Sequence, residues 1–374
     1  MKVTPSDHRK FNDDLLLHED DRKLASVNYP TIYHVLDHPE LRAVFSNYDT
    51  AANRAKRIGL IAGLWAIAFG FGALGIAALE LILVHPTGYS IALAVISGLC
   101  GLLCFLIGSV GVLFAGRKRN WLRCRLMGER TRQFHFQMLV SRLPEILASL
   151  RSDAAKATFL SERNVWFATF KAHLIGKLDS TLAEILHEEN SIDPWLHDSA
   201  PRAKLARMQV SKELNPIFDA YRELRIVHQL DCANYKLQDD YRIISAMPRR
   251  QMAVIYGLVF ALIVLLVVVH VGILAGALFP SSIFAALHSP EATVFIIWLA
   301  LAALALRAIE QGLQPEREIE RYQQYRSGVR AILDRYDNAA SQDEKIEIMR
   351  EMERLAFEEM HNFLITNERS RFVM

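Results

Sequence analysis

Four runs almost free of charge decide what this chain can fold into: residues 58–84, 90–115, 252–279 and 292–306. A helix needs about 20 apolar residues to cross a hydrocarbon core of about 30 Å, and the first three runs meet that length. The fourth is the shortest, and Ile309 with the alanine-rich end of the run extends it. Elsewhere the chain is crowded with Lys, Arg, Asp and Glu, so its 52% hydrophobic and 22% charged residues are segregated rather than mixed. Such segregation excludes an ordinary soluble enzyme and a disordered chain. No stretch alternates polar and apolar residues with period two between turn signals, so sheet is not expected. The sequence predicts an all-α integral membrane protein: four transmembrane helices in two hairpins, with long cytosolic helical extensions.

The first fifty residues include Asp13, Asp14, Glu19, Asp20 and Asp21 and no apolar stretch of signal-peptide type, so the first span is expected to act as its own insertion signal. Orientation follows from the basic flanks. Arg54, Lys56 and Arg57 precede the first span, and Arg117, Lys118, Arg119, Arg123 and Arg125 follow the second. Arg249 and Arg250 precede the third, and Arg307 and Arg317 follow the fourth. The connections 85–89 and 280–291 hold no Lys or Arg. Both hairpins should therefore point outward, with both termini and the middle in the cytosol. The expected segments are cytosolic helices over 1–57, hairpin 1 over 58–116, a cytosolic helical domain over 117–251, hairpin 2 over 252–309 and cytosolic helices over 310–374.

Several local signals refine this plan. Asp37 before His38-Pro39 marks a helix start whose pattern runs into the first span. Pro144 disturbs the helix that follows the second span, and 192–201 reads as a loop. Asn215-Pro216 offers an N-cap and first turn for a helix reaching Ala246. Met349, Met352, Ala356, Met360 and Phe363 recur at spacings of three and four, one helix face.

Nothing in the chain carries a catalytic signature, whether phosphate-binding loop, dinucleotide fingerprint, zinc-protease helix or nucleophile elbow, and no cofactor is implied. His187, Glu188, Glu189, Asp193, His197 and Asp198 gather imidazoles and carboxylates. Their spacing matches no metal pattern, and a polar helix end running into a loop has the same composition. Cys100 and Cys104 share a helix face as small apolar thiols, while Cys124 and Cys232 lie in charged segments; no disulfide framework results. Basic residues exceed acidic ones by about seven between Arg117 and Arg250, an excess that anionic headgroups at the membrane flanks explain without nucleic acid.

Within the spans, Glu80 and His270 are the ionisable residues that need explaining. Both fall toward the outer ends of their helices, where they either line a polar path, as a pair or as a ring in an oligomer, or sit at the interface within reach of water. Gly59 with Gly63 and Gly272 with Gly276 form GxxxG pairs, and Gly98 thins a side of the second helix, so close helix packing is expected there.

After the second span, Trp121, Arg125, Glu129 and Arg132 fall within about 80° on a helix, one stripe just beneath the membrane. With Arg117-Lys-Arg-Asn before it, the stripe resembles the SLATT family, two-transmembrane effectors associated with nucleotide-based conflict systems in bacteria. His38-Pro39-Glu40-Leu41-Arg42 with Phe45 and Tyr48-Asp49, and Tyr221-Arg-Glu-Leu-Arg225-Ile226 with Gln229, resemble the juxtamembrane helices of such proteins. The run 341–372 with Lys345, Glu353, Glu358 and Phe363 resembles their closing helix. The resemblance implies an antiphage effector of abortive-infection type, a non-enzyme that oligomerises and permeabilises or perturbs the inner membrane when a partner signals infection. Its implied partners are the lipid bilayer, further copies of itself and a cytosolic sensor or defence protein encoded nearby. This chain departs from the family pattern by carrying two hairpins and no sensing domain. A membrane scaffold anchoring a cytosolic defence enzyme, or an ordinary ion channel, would share the same layout.

Overall fold

The structure, a computed structural model, describes residues 13–80, 82–83, 87–109, 116–187, 195–196, 212–238, 247–278 and 289–369. Its regular structure is helical: α1 (Glu19–Asn28), α2 (Tyr33–Leu36), α3 (Pro39–Glu80), α4 (Thr87–Leu106), α5 (Arg117–Ser141), α6 (Leu143–Ser149), α7 (Asp153–His187), α8 (Asn215–Tyr221), α9 (His228–Lys236), α10 (Pro248–Leu278), α11 (Pro290–Leu313), α12 (Pro315–Asp337) and α13 (Gln342–Arg369). Among the described residues there is no strand. The helices α3, α4, α10 and α11 carry the described parts of the four apolar runs and are long and apolar enough to cross a membrane. The shortest run gains its length from its caps. Ser289 accepts a hydrogen bond from the Ala292 amide at 3.3 Å and Pro290 occupies the first turn, so α11 spans 24 residues, about 36 Å. It stops where Gln314 turns left-handed at φ 47° ahead of Pro315.

The chain divides into two compact units. The first gathers residues up to Asn53, Trp121–Leu237 and Glu320–Thr366, three polar stretches far apart in sequence. Helix α7 shows how it holds together. Phe159, Phe167, Phe170, Leu174, Leu178, Leu182 and Ile185 are buried at spacings that keep to one helix face, while the other face is exposed and mostly polar, with Val165 and Ile175 among its residues. Phe167 and Phe170 of the buried face lie against Phe134 of α5, with ring centroids 5.3 and 4.7 Å away, and Phe136 of α5, Ile217, Phe218 and Tyr221 of α8 and Met349, Met352 and Met360 of α13 are buried in the same unit. Pro144 sits in the first turn of α6, which explains why α5 ends at Ser141. At α13, Ser341 accepts from the Glu344 amide at 3.1 Å while the Glu344 side chain accepts from the Ala340 amide at 2.8 Å.

Two sequence expectations change in this unit. The helix opening at Asn215-Pro216 passes through a π turn at Arg222–Val227 and ends at Lys236, short of Ala246. The Leu237 amide closes it on Ala233 and Asn234, and the Leu237 side chain is buried. Asn215 is the first helical residue rather than a cap, because its side-chain oxygen accepts from Gln342 at 3.2 Å.

The second unit gathers Arg54–Asn120, Gln238–Ile319 and the residues from Asn367. Here α3 and α4 lie antiparallel. Ser97 donates to the Ala73 carbonyl at 2.9 Å, and a Cβ added at Gly70 would stand 3.2 Å from the Cys104 sulfur. Helices α10 and α11 pack together, and the Trp298 indole of α11 donates to the Gly75 carbonyl of α3 at 2.9 Å. The outward faces are apolar: Phe260 is 68% exposed and Phe105 67%. So large an apolar surface is far beyond what a water-soluble monomer presents, and hydrocarbon is the solvent that suits it.

Candidate functional site

The stripe on α5 is internal to the first unit. Trp121 is buried with its ring edge-on to Phe363 of α13 at 5.5 Å between centroids. One turn on, the Arg125 guanidinium reaches Glu129 at 2.7 Å and Asp49 of α3 at 3.7 Å, and stands over the same Phe363 ring at 5.8 Å. Arg132 donates to both Glu129 oxygens, at 3.0 and 2.8 Å, approaches Asp14 at 3.0 Å and stacks over Phe45 of α3 at 4.9 Å. Asp14 is brought in by the short turn Asp13–Leu15, which Leu16 reverses with φ 54°. Arg22 fixes that reversal by donating to the Leu16 and Leu17 carbonyls.

A second cluster lies on the π turn, α5 and α13. Arg225 is buried and donates through Nε and Nη2 to the two oxygens of Glu353, both at 2.9 Å. The Tyr221 hydroxyl donates to the same carboxylate at 2.7 Å and lies 3.0 Å from the Met349 carbonyl oxygen. The Phe136 ring closes the other side of the guanidinium at 4.5 Å. A bidentate fork with a third donor and an aromatic face is the arrangement that lets a guanidinium be buried. Arg321 of α12 completes the set, pairing with Glu359 at 2.9 Å over Phe363 at 4.8 Å.

Electrostatics follows the pairing. Burial alone would raise the Glu129 carboxyl, but Arg125, Arg132 and Arg225 outweigh it and hold the group down at about 2. Burial likewise opposes the charge on Arg132, yet Asp14 and Glu129 raise it above the ordinary arginine value. Arg225 is raised by Glu353 against the same penalty, and Tyr221 is held well above an ordinary phenol by burial and by Glu353. Glu129, Arg132 and Arg225 are thereby held charged at neutral pH and Tyr221 is held neutral. The pairing registers α3, α5, the π turn and α13 against one another.

Close by, two histidines enter the core, His38 just ahead of α3 and His135 of α5. His38 lies edge-on to Phe167 at 5.0 Å, and burial, with Arg163, His135 and Arg42 around it, pushes it down to about 2. His135 on α5 is buried and held down at about 3 by that burial and by Arg163, Arg225 and Arg42. Arg163 of α7 donates to the carbonyls of His34 and Asp37 at 2.8 and 3.0 Å.

In the second unit Glu80 and His270 do not meet. His270 is exposed with Nδ1 2.7 Å from the Leu266 carbonyl oxygen, and Glu80 has an enclosed Oε1 without a hydrogen-bond partner. Of the glycines singled out in sequence, Gly98 faces open space, Gly63 is buried, and Gly59, Gly272 and Gly276 are half-buried. Close approach occurs at Gly70, Gly72 and Ala73 of α3 against Ser97, Cys100, Gly101 and Cys104 of α4, and at Gly75 against Trp298. Sequence reasoning gave Trp298, Gly75 and Asp14 no role; Trp298 could have been found as the indole in the shortest span, since a buried indole N–H needs an acceptor.

Among the described residues no group of three or more His, Cys, Asp or Glu is placed to hold a metal ion. Glu188, Glu189, Asp193, His197 and Asp198 of the polar cluster lie outside the described residues. Comparison with protein-family models, curated proteins and solved structures finds no match to this chain.

Proposed function

We propose that this chain is a membrane effector of bacterial antiphage defence, an oligomer in the inner membrane that perturbs the bilayer when a cytosolic partner signals infection. One observation carries the reading. Helix α3 is continuous for 42 residues, with Phe45 and Asp49 in the charge network near one end and the first apolar run in the remainder. No Pro or Gly interrupts it between Asp49 and Ile58. A partner that altered the pairing of Arg125 and Arg132 would therefore act on the helix that also carries the first apolar run. The residues behind the SLATT resemblance also lend support. Trp121, Arg125, Glu129, Arg132, Tyr221, Arg225, Glu353 and Phe363 come from distant segments and gather in two clusters of the first unit, with Arg225 of one acting on the Glu129 carboxyl of the other. Glu80, in a span with an enclosed oxygen and no hydrogen bond there, is the group we assign to the polar path.

A potential-sensitive dye followed during phage challenge, with neighbouring genes present and protein level monitored, tests the proposal. Potential should collapse before lysis, and Glu80→Ala should reduce the collapse while the protein accumulates normally. Intact potential in demonstrably protected cells rejects the permeabilising reading and leaves a scaffold that holds a cytosolic enzyme. Collapse unaltered by Glu80→Ala removes Glu80 from the path.

A further inference from the structure

Charge around the ends of the spans is uneven, and the imbalance singles out one face. Between Thr50 and Gly128 the chain holds one acidic residue, Glu80, the last residue of α3. The polar ends of the first two spans carry Arg54, Lys56, Arg57, Arg117, Lys118 and Arg119, answered by Glu368 at 3.4 Å from Lys118. Around α10, α11 and the start of α12 the balance differs. Arg249, Arg250, Arg307 and Arg317 are accompanied by Glu310, Glu316, Glu318 and Glu320, with Arg307 and Glu310 paired at 2.6 Å.

Register brings the first group together. Asp49 of α3 pairs with Arg125 of α5, and Phe45 lies beneath Arg132 and against Gly128, so the two helices run antiparallel. Carried along both helices from Asp49 and Arg125, that register sets Arg54, Lys56 and Arg57 level with residues 117–119. Along α3, Arg54, Ile58, Ile61 and Trp65 then fall within about 60° of one another. All four are exposed, Ile58 at 39%, Ile61 at 44% and Trp65 at 54%. A cationic end followed on the same face by an apolar strip has the chemistry of a phospholipid: charge for a phosphate, then hydrocarbon for an acyl chain. A soluble anion would occupy the charges and leave the strip without a role.

We infer that this face of α3, with the basic start of α5, binds an anionic phospholipid, its phosphate at Arg54 and Arg57 and an acyl chain along Ile58, Ile61 and Trp65. The inference rests on the reading that the four apolar helices cross a membrane. The test uses the full-length protein in nanodiscs of phosphatidylcholine alone or mixed with phosphatidylglycerol, followed by native mass spectrometry of retained lipid. Phosphatidylglycerol should be retained preferentially. Each cation near the surface contributes roughly fivefold in affinity, so Arg54→Gln/Arg57→Gln should lower retention roughly 25-fold. The matched variant Arg249→Gln/Arg250→Gln should keep it within a few-fold. Trp65→Ala, which leaves every charge in place, should weaken retention as well. Equal loss in both double variants, or equal retention of the two lipids by the parent, overturns the inference. So does displacement of phosphatidylglycerol by millimolar inorganic phosphate, which would mark a soluble-anion site. Failure of the protein to float with vesicles at all would instead reject the membrane-crossing reading itself.

Discussion

Glu353→Ala is the substitution whose cost the structure defines best. The carboxylate is fully buried and accepts two hydrogen bonds from Arg225 and one from Tyr221. Truncation leaves a guanidinium of 2% exposure facing the Phe136 ring at 4.5 Å, with no counter-charge hydrogen-bonded to it. Removing one partner of a buried pair costs about 3–5 kcal/mol, most of it the uncompensated charge left behind. For a folded unit of roughly 200 residues this lowers the melting temperature by roughly 6–20 °C. The control is Glu351→Ala, two residues away, which breaks an exposed pair with Arg335 and should cost no more than about 1 kcal/mol. Replacing both partners, as Arg225→Met with Glu353→Leu, removes the stranded charge and should recover most of the loss. Thermal melting of the full-length protein in detergent, followed by near-ultraviolet circular dichroism at a fixed scan rate, distinguishes the three variants. A Glu353→Ala melting point within the range of Glu351→Ala would refute the reasoning, because it would mean that Arg225 finds water or another partner at no cost.

Acid should loosen the same unit through His38 and His135. Their folded values, about 2 and about 3, lie below the ordinary 6.5, so the stability they contribute is complete above pH 6.5 and lost as pH falls toward 3. The expected slope is about 1–3 kcal/mol per pH unit near pH 5, and His38→Gln with His135→Gln should flatten denaturant midpoints measured from pH 7 to 5. Glu129 adds a loss only below 4.5, since its folded value is about 2. On the stripe, Glu129→Ala should destabilise by several kcal/mol because Arg132 is buried, whereas Arg125→Ala, at a side chain 35% exposed, should cost about 1 kcal/mol; chemical denaturation compares them. In the apolar unit, Trp298→Phe removes the hydrogen bond to Gly75 and should cost about 1 kcal/mol, while Gly75→Leu should cost more, since a Cβ there already stands 3.5 Å from the indole; heating in detergent followed by gel mobility reads both.

Much of the fold was legible because it depends on period and charge, which sequence states directly. The apolar runs, Pro39 at the head of α3, Pro144 between α5 and α6, and the methionine face of α13 all follow from local rules. The charge network was legible only in halves. Trp121 to Arg132 stood out as a stripe, but a stripe of Arg and Glu looks the same on a solvated face, and only tertiary packing decides its burial. Glu353 gave one signal: it falls four residues after Met349 and four before Phe357, on the buried side of α13. Its partner Arg225 depends on the π turn, which shifts the phase of the helix by one residue and has no marker in composition. Among the spans, the run of small residues drew attention to Gly98, which faces open space, while Gly70 and Gly72, two residues apart, meet α4. Small-residue spacing locates a thin helix face without telling which faces a neighbour.

The membrane account is tested most directly by mapping which side of the bilayer each connection occupies. Reporter fusions after Thr87, Ser161, Ser289 and Met374 sample both short connections, the long middle segment and the end of the chain. Charge placement predicts far-side signals at Thr87 and Ser289 and cytosolic signals at Ser161 and Met374. A far-side signal at Ser161 would put the charge network on the wrong face of the membrane for a cytosolic partner, and would contradict the account.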